Sequence, residues 1–174
     1  ETVLLVDGSH YANVKLCDFG SARLMDADDS EDPFGELKIG SPGYTAPEIL
    51  QNKPTKYQPP CDVFSLGVLL YCLLAGYLPF PEGFMQTLKV ITGKFEFPEE
   101  DWNDVSDDAK DLITRMLSNR ATMRITTSEV LEHPWLANLD LVREEPTKDL
   151  KRTQTRLRDN NARRRFQQAA MAAV

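Results

Sequence analysis

Cysteine and histidine are scarce in this sequence: 174 residues contain three cysteines and two histidines. Cys17, Cys61 and Cys72 are odd in number and widely spaced, with no Cys-x-x-Cys pair, which argues against both a disulfide framework and a zinc site. A reducing compartment fits this usage, so the expected location is cytoplasmic. Long hydrophobic runs are also missing. The most apolar stretch, Val63 to Ala75, is interrupted by Ser65 and is too short to cross a bilayer. No basic-then-apolar segment of the secretory kind opens the chain. Glu1 leads straight into Val3-Leu4-Leu5-Val6, so the N-terminus reads as a cut in mid-strand. No internal repeat is found.

What is present is an ordinary globular composition, 41% hydrophobic and 27% charged, in a length that suits one buried core. The charge is unevenly placed. The net value is −7, yet Lys148 to Arg165 holds eight basic and two acidic residues, which leaves −13 on residues 1–147. An acidic body argues against nucleic-acid binding, which needs a basic face on the folded domain. The basic tail is free to lie against its own body or against an acidic partner.

Two short β-type runs, Val3–Val6 and Val14–Cys17, flank Asp7-Gly8-Ser9 and predict a small hairpin. Met25 to Gly35 reads as an exposed loop, and prolines keep the region up to Asp62 irregular. From Asp62 to Ala75 the chain is apolar on nearly every face and stops at Gly76, which predicts a helix buried all round. Met85 to Thr92 predicts a short helix. Ser106 then caps an amphipathic helix whose stripe is Ala109, Leu112, Ile113, Met116 and Leu117, with Asp107 and Asp108 in its positive first turn. Thr126-Thr127-Ser128-Glu129 is a capping box for a last helix, stopped by Pro134. The tail is polar and helix-prone. The predicted body is mainly α, and its boundary falls near Leu141.

Four motifs carry chemistry. Asp18-Phe19-Gly20 follows a strand, where a carboxylate beside a flexible glycine suits a hard cation; taken alone it is equally a turn. Ala46-Pro47-Glu48 comes twenty-eight residues later, after Gly40-Ser41-Pro42-Gly43-Tyr44. Asp62-Val63-Phe64-Ser65-Leu66-Gly67 opens the apolar helix, and Arg124 lies seven residues beyond Leu117. In order and spacing the set resembles the second half of a eukaryotic protein kinase. Leu74-Ala75-Gly76-Tyr77-Leu78-Pro79-Phe80 and His133-Pro134-Trp135-Leu136 are similar to the calcium/calmodulin-dependent group in particular.

That resemblance implies a kinase-like C-terminal lobe, a helical bundle with a small β-hairpin, without the N-terminal lobe. It divides the chain into residues 1–141, a partial kinase domain, and residues 142–174, an autoregulatory tail. Its implied activity is phosphoryl transfer from ATP, with Mg2+, to protein serine or threonine. Asp18 would bind the metal bridging the phosphates, and Phe19 and Gly20 would begin an activation segment in which Ser21 to Lys38 form the loop. Ser41 would contact the catalytic loop, and Gly43 and Tyr44 would floor the site for the residue after the acceptor. Glu48 and Arg124 would form an internal ion pair, and Asp62 would hold the catalytic loop's N–H groups. Asp62 is also simply a carboxylate at a helix N-terminus, and both readings can hold.

Departures accompany the match. Thr2 stands where the second metal-binding residue, an asparagine, is expected, and a hydroxyl is a shorter, weaker ligand than a carboxamide. The glycine-rich loop, the ATP-anchoring lysine and the His-Arg-Asp aspartate are not in this sequence, so the catalytic aspartate would lie upstream and the isolated chain should be inactive. Ala121 replaces a proline and Phe64 a tryptophan. In the tail, Arg163-Arg164-Arg165-Phe166 resembles a calmodulin-binding segment; by composition alone it is also a solvated basic helix. Arg152 three residues before Thr155 marks Thr155 as a phosphosite, with Thr153 behind it and Ser30 in the activation loop. The alternative reading is a pseudokinase-like scaffold with a calmodulin-binding tail.

Overall fold

A computed structural model describes residues 3–6, 13–22, 40–41, 43–51, 59–137 and 151–172. These fall into two units, residues 1–39 and 40–174. In the first, strands β1 (Val3–Leu5) and β2 (Val14–Leu16) pair antiparallel with Val3 opposite Leu16 and Leu5 opposite Val14. A 3-10 turn over Phe19–Ser21 follows.

The second unit is helical: α1 (Pro47–Leu50), α2 (Pro60–Ala75), α3 (Gln86–Thr92), α4 (Glu99–Trp102), α5 (Asp107–Met116), α6 (Thr127–Glu132), α7 (Pro134–Ala137) and α8 (Lys151–Ala172). Helix α2 is its centre. Phe64, Val68, Tyr71, Cys72 and Ala75 on α2 pack with Phe80, Val90, Trp102, Ile113 and Leu117 in the main cluster. A smaller cluster joins Val63 to Leu112, Met116, Ile125 and Val130. The stripe expected on α5 is therefore the face that meets α2, and the Ser106 hydroxyl accepts from the Ala109 N–H to start it. The Thr126–Glu129 capping box is present in full.

Three expectations need correction. Helix α2 begins at Pro60, two residues earlier than the apolar pattern starts, because proline at the first helical position is already set to helical φ. Nor is α2 buried all round: Leu66 and Leu73 are about half exposed, on the side where no described element covers them. The proline-rich stretch before Asp62 also holds one helical turn, α1, opened by Pro47. The boundary expected near Leu141 lies outside the described residues.

Candidate functional site

In the first unit β2 delivers Asp18 to the start of the 3-10 turn. Asp18 has φ 62° and ψ 64°, the one non-glycine residue in the left-handed region among those described. Aspartate tolerates this conformation better than most residues, but it still costs energy and concentrates at functional positions. The carboxylate is exposed and folds toward Gly20, whose position for a Cβ lies 3.5 Å from Asp18 Oδ1. Phe19 is exposed. Among the described residues no group of three or more His, Cys, Asp or Glu side chains gathers as a metal cage. Thr2 and Ser30 lie outside the described residues, as do positions 23–39 of the activation segment.

In the second unit the turn around Gly43 is clamped from below. The Tyr44 N–H donates to Ser41 O (3.1 Å), and the Ser65 hydroxyl, on α2, donates to Tyr44 O (2.8 Å). Gly43 is buried at φ +89°, and a Cβ there would meet Gln86 Nε2 at 2.7 Å. That same amide donates to Phe80 O at 2.9 Å, so Gln86 ties the turn to the loop before α3. Tyr44 is half-buried with its hydroxyl 3.7 Å from Cys72 Sγ, whereas Ser41 is exposed.

Four residues after Tyr44, Glu48 meets Arg124. Arg124 donates to both Glu48 oxygens, at 2.7 and 2.9 Å, in the forked geometry that guanidinium and carboxylate share. It donates further to Pro60 O (2.6 Å) and to Ser118 O (3.1 and 3.0 Å), and its head lies 5.1 Å from the Phe64 ring centre. Its side chain is fully buried. Asp62, in the first turn of α2, is exposed with Cys61 Sγ at 3.8 Å.

The tail helix returns to the body. Thr153, on the first turn of α8, is buried and donates from its hydroxyl to Leu74 O at 3.1 Å. Arg156 donates to Ala75 O (3.3 Å) and Asn160 to Gly76 O (2.8 Å). Three successive carbonyls at the end of α2, left over by the helix, thus receive side chains from α8. Arg156 also reaches Asp101 Oδ1 at 2.8 Å and covers the Tyr77 ring at 5.4 Å, with Arg152 3.4 Å from the same oxygen. Partial burial pushes the Asp101 carboxyl up, but Arg156, the neighbouring Tyr77 hydroxyl and Arg152 together hold it below the ordinary range. Arg163, Arg164, Arg165 and Phe166 lie on the distal half of α8 as helical backbone.

Residues 2–136 match the protein kinase domain family. The chain belongs to the protein kinase family. Among curated proteins, this kinase chain is 41% identical over 140 residues to calcium/calmodulin-dependent protein kinase type II subunit delta of Oryctolagus cuniculus, covering 79% of the chain and 25% of that relative. It is 36% identical over 159 residues to MAP kinase-activated protein kinase 5 of Homo sapiens and of Mus musculus, covering 78% of the chain and 32% of each. The kinase chain therefore spans about a quarter to a third of the relatives it matches.

Sequence reasoning missed three anchors: the carbonyls of Pro60 and Ser118 on Arg124, the Gln86 amide beneath Gly43, and Asp101 as the acid that receives the tail. None had a sequence signal: apart from Ser118, six residues before Arg124, each contact joins residues remote in sequence. Gly76 is the exception. It was legible as a helix stop, and it is also where α8 seats.

Proposed function

We propose that this chain is the C-terminal lobe and regulatory tail of a calcium/calmodulin-dependent-type serine/threonine protein kinase. The lobe runs from the end of the catalytic loop to the last lobe helix, residues 1–141, and the tail covers 142–174. The carrying observation is Asp18, presented from a strand end in left-handed backbone within a chain whose residues 2–136 match the kinase family. One exposed carboxylate, with no closed cage among the described residues, suits a cation that keeps waters and shares substrate phosphates. Asp18 would hold it, and the ion would neutralise charge on the transferring phosphoryl group.

The other roles follow the same reading. Ser41 faces the catalytic loop, the clamped Gly43–Tyr44 turn floors the acceptor site, and Asp62 supports the catalytic loop. The Glu48–Arg124 pair fixes that turn to the helical body. The glycine-rich loop, the anchoring lysine and the catalytic aspartate are absent from these 174 residues. The chain alone is therefore inactive, and the activity belongs to a protein carrying those parts. In such a complete kinase, Asp18→Ala removes magnesium-ATP-dependent phosphorylation of a serine or threonine peptide while the fold persists. Full activity of the Asp18→Ala kinase would overturn the role given to Asp18, and absence of phosphorylation by the unaltered complete protein would favour a scaffold.

The tail reading is calmodulin binding through Arg163 to Arg165 with Phe166 as the apolar anchor. It is supported by the basic cluster leading into an apolar segment. Titrating the chain with calmodulin, with and without calcium, tests it. Calcium-dependent binding that weakens in salt and is lost in Phe166→Ala is the expected result, whereas binding indifferent to calcium leaves a solvated basic helix.

A further inference from the structure

Helix α3 is apolar on two sides, and the core covers only one of them. Gln86 and Val90, one helical turn apart, are buried and face the body. On the other side Leu88 is 50% exposed, Met85 at the helix start 49%, and Phe84 just before it 100%. A surface helix ordinarily turns charged and polar residues to that side. We propose that Phe84, Met85 and Leu88 form a docking surface for a short acidic, apolar-anchored segment of a partner protein.

The surface is held ready at both ends. At its start the Gln86 amide donates to Phe80 O at 2.9 Å and lies against the Gly43 turn. At its end Gly93, at φ +66°, turns the chain back, and the Lys94 N–H donates to Lys89 O at 3.0 Å. The Asn119 amide donates to Ile91 O at 3.2 Å and braces that end from the loop after α5. A surface already fixed in place loses little freedom on binding, which favours a short ligand.

Charge names the kind of segment. From Gly83 to Phe95 the sequence has two lysines and no acid, on a body whose residues 1–147 carry −13. Lys89 and Lys94 are both exposed, and Lys89 stands one turn from Met85. The bond from the Lys94 N–H to Lys89 O keeps the two lysines at the same end of α3. The apolar side is thus bordered by a cationic island on an acidic body, and it favours a partner that brings carboxylates with its anchor.

Size and charge exclude the larger occupants. A stable interface between folded proteins covers roughly 800 Å² on each partner, and three side chains fall well short of that, so a second copy of the chain would not hold here. An anionic lipid surface would be drawn by the two lysines but kept off by the −13 of the body. A linear segment needs only one anchor and a few flanking acids. Phe84, Met85 and Leu88 pack around that anchor, and the unbranched Met85 adapts its shape to it. The surface belongs to the helical unit, so the proposal does not rest on the role given to Asp18.

The test selects a displayed library of random peptides on the immobilised 174-residue chain in dilute salt. The library is first cleared against the Phe84→Ala chain, which removes peptides drawn to the basic tail. The recovered peptides carry an aromatic or aliphatic anchor flanked by aspartate or glutamate. The tightest of them is labelled and titrated with chain variants by fluorescence anisotropy. Phe84→Ala weakens it about tenfold or more, the share of one buried aromatic anchor. The double change Lys89→Glu, Lys94→Glu weakens it as much and removes most of its salt dependence. Leu131→Ala, on α6 and 70% exposed, leaves it unchanged. Phe84 is wholly exposed, so its variant unfolds at the midpoint of the unaltered chain. A library that yields nothing after clearing, or yields peptides without acids, overturns the proposal. So does self-association in sedimentation, or flotation with vesicles of phosphatidylcholine and phosphatidylserine, when either is lost in Phe84→Ala: the surface then belongs to a second copy or to a membrane.

Discussion

Arg124 and Arg156 are built alike and do different work. Each sits over an aromatic ring, each reaches a carboxylate, and each donates to the backbone at a helix end. Arg124 is fully buried with five donated bonds, and its partner Glu48 is nearly so; Arg156 is about a third exposed, and its bond to the backbone is long, at 3.3 Å. The chemistry is shared, and burial decides permanence. A charge sealed from water is costly to strip of its partner, so Arg124 joins the α1 turn to α2 and the segment before α6 for as long as the lobe is folded. A charge still touching water exchanges its partner for solvent at little cost, so Arg156 holds a helix that can leave.

The sharpest way to break this comparison is Arg124→Ala. It strips Glu48 of its cation and two carbonyls, of Pro60 and Ser118, of this donor, and should lower the unfolding free energy by ~3–5 kcal/mol in urea denaturation. A loss under ~1 kcal/mol would mean that the two arginines are equivalent after all. By contrast Arg156→Ala should release α8, seen as lost exchange protection over residues 151–160, while changing the lobe's unfolding midpoint by less than ~1 kcal/mol. Between them in size is the cap at Ser106, a neutral control for a buried helix start: Ser106→Ala should cost ~0.5–2 kcal/mol with α8 still docked.

Acid acts on two carboxylates in the same direction. Asp101 is held below the ordinary carboxylate range, and so is Asp111, chiefly by the hydrogen bond to His133 at 3.1 Å and then by Arg115 at 2.9 Å. A depressed folded pKa adds stability that is complete above the unfolded value and is lost as pH falls through the folded one. Tail docking should therefore hold at neutral pH and fail in acid below ~4, measured by exchange or proteolysis across a pH series. Asp101→Asn should flatten that dependence for α8, and Asp111→Asn should flatten it only for the contact with His133. The smallest expected effect is that of salt: raising ionic strength toward ~1 M should weaken α8 docking a few-fold and leave the Arg124 site unmoved.

The parts of this fold that were legible in sequence are those whose cause is local. Ser106, Thr126 and Gly76 announce helix ends through bonds made within four residues, and the stripe on α5 follows from period alone. The exposure of Leu66 and Leu73 was not legible, because apolar residues on every face of α2 say what the helix prefers and not what reaches it. At the candidate site the motifs were visible as a pattern, and Asp18, Glu48 and Arg124 could be singled out. Their settings could not: the left-handed backbone of Asp18 has no signature in the motif, and the Pro60 carbonyl on Arg124 and the Gln86 brace under Gly43 come from segments remote in sequence. The tail's excess of positive charge allowed docking on the acidic body or on a partner, and only the placement of Asp101 beside the end of α2 distinguishes them.

The aromatic chain next to that seat has an optical consequence. Arg156 lies on Tyr77, Tyr77 packs edge-on against Tyr71 at 5.8 Å, and Tyr71 is 4.6 Å from Trp102, which neighbours Asp101 in sequence. The sequence has only one other tryptophan, Trp135, on α7. In a Trp135→Phe background the emission of Trp102 becomes a label-free gauge of whether the cation above Tyr77 is present. The lobe thus reports the arrival and departure of its own tail in ultraviolet light.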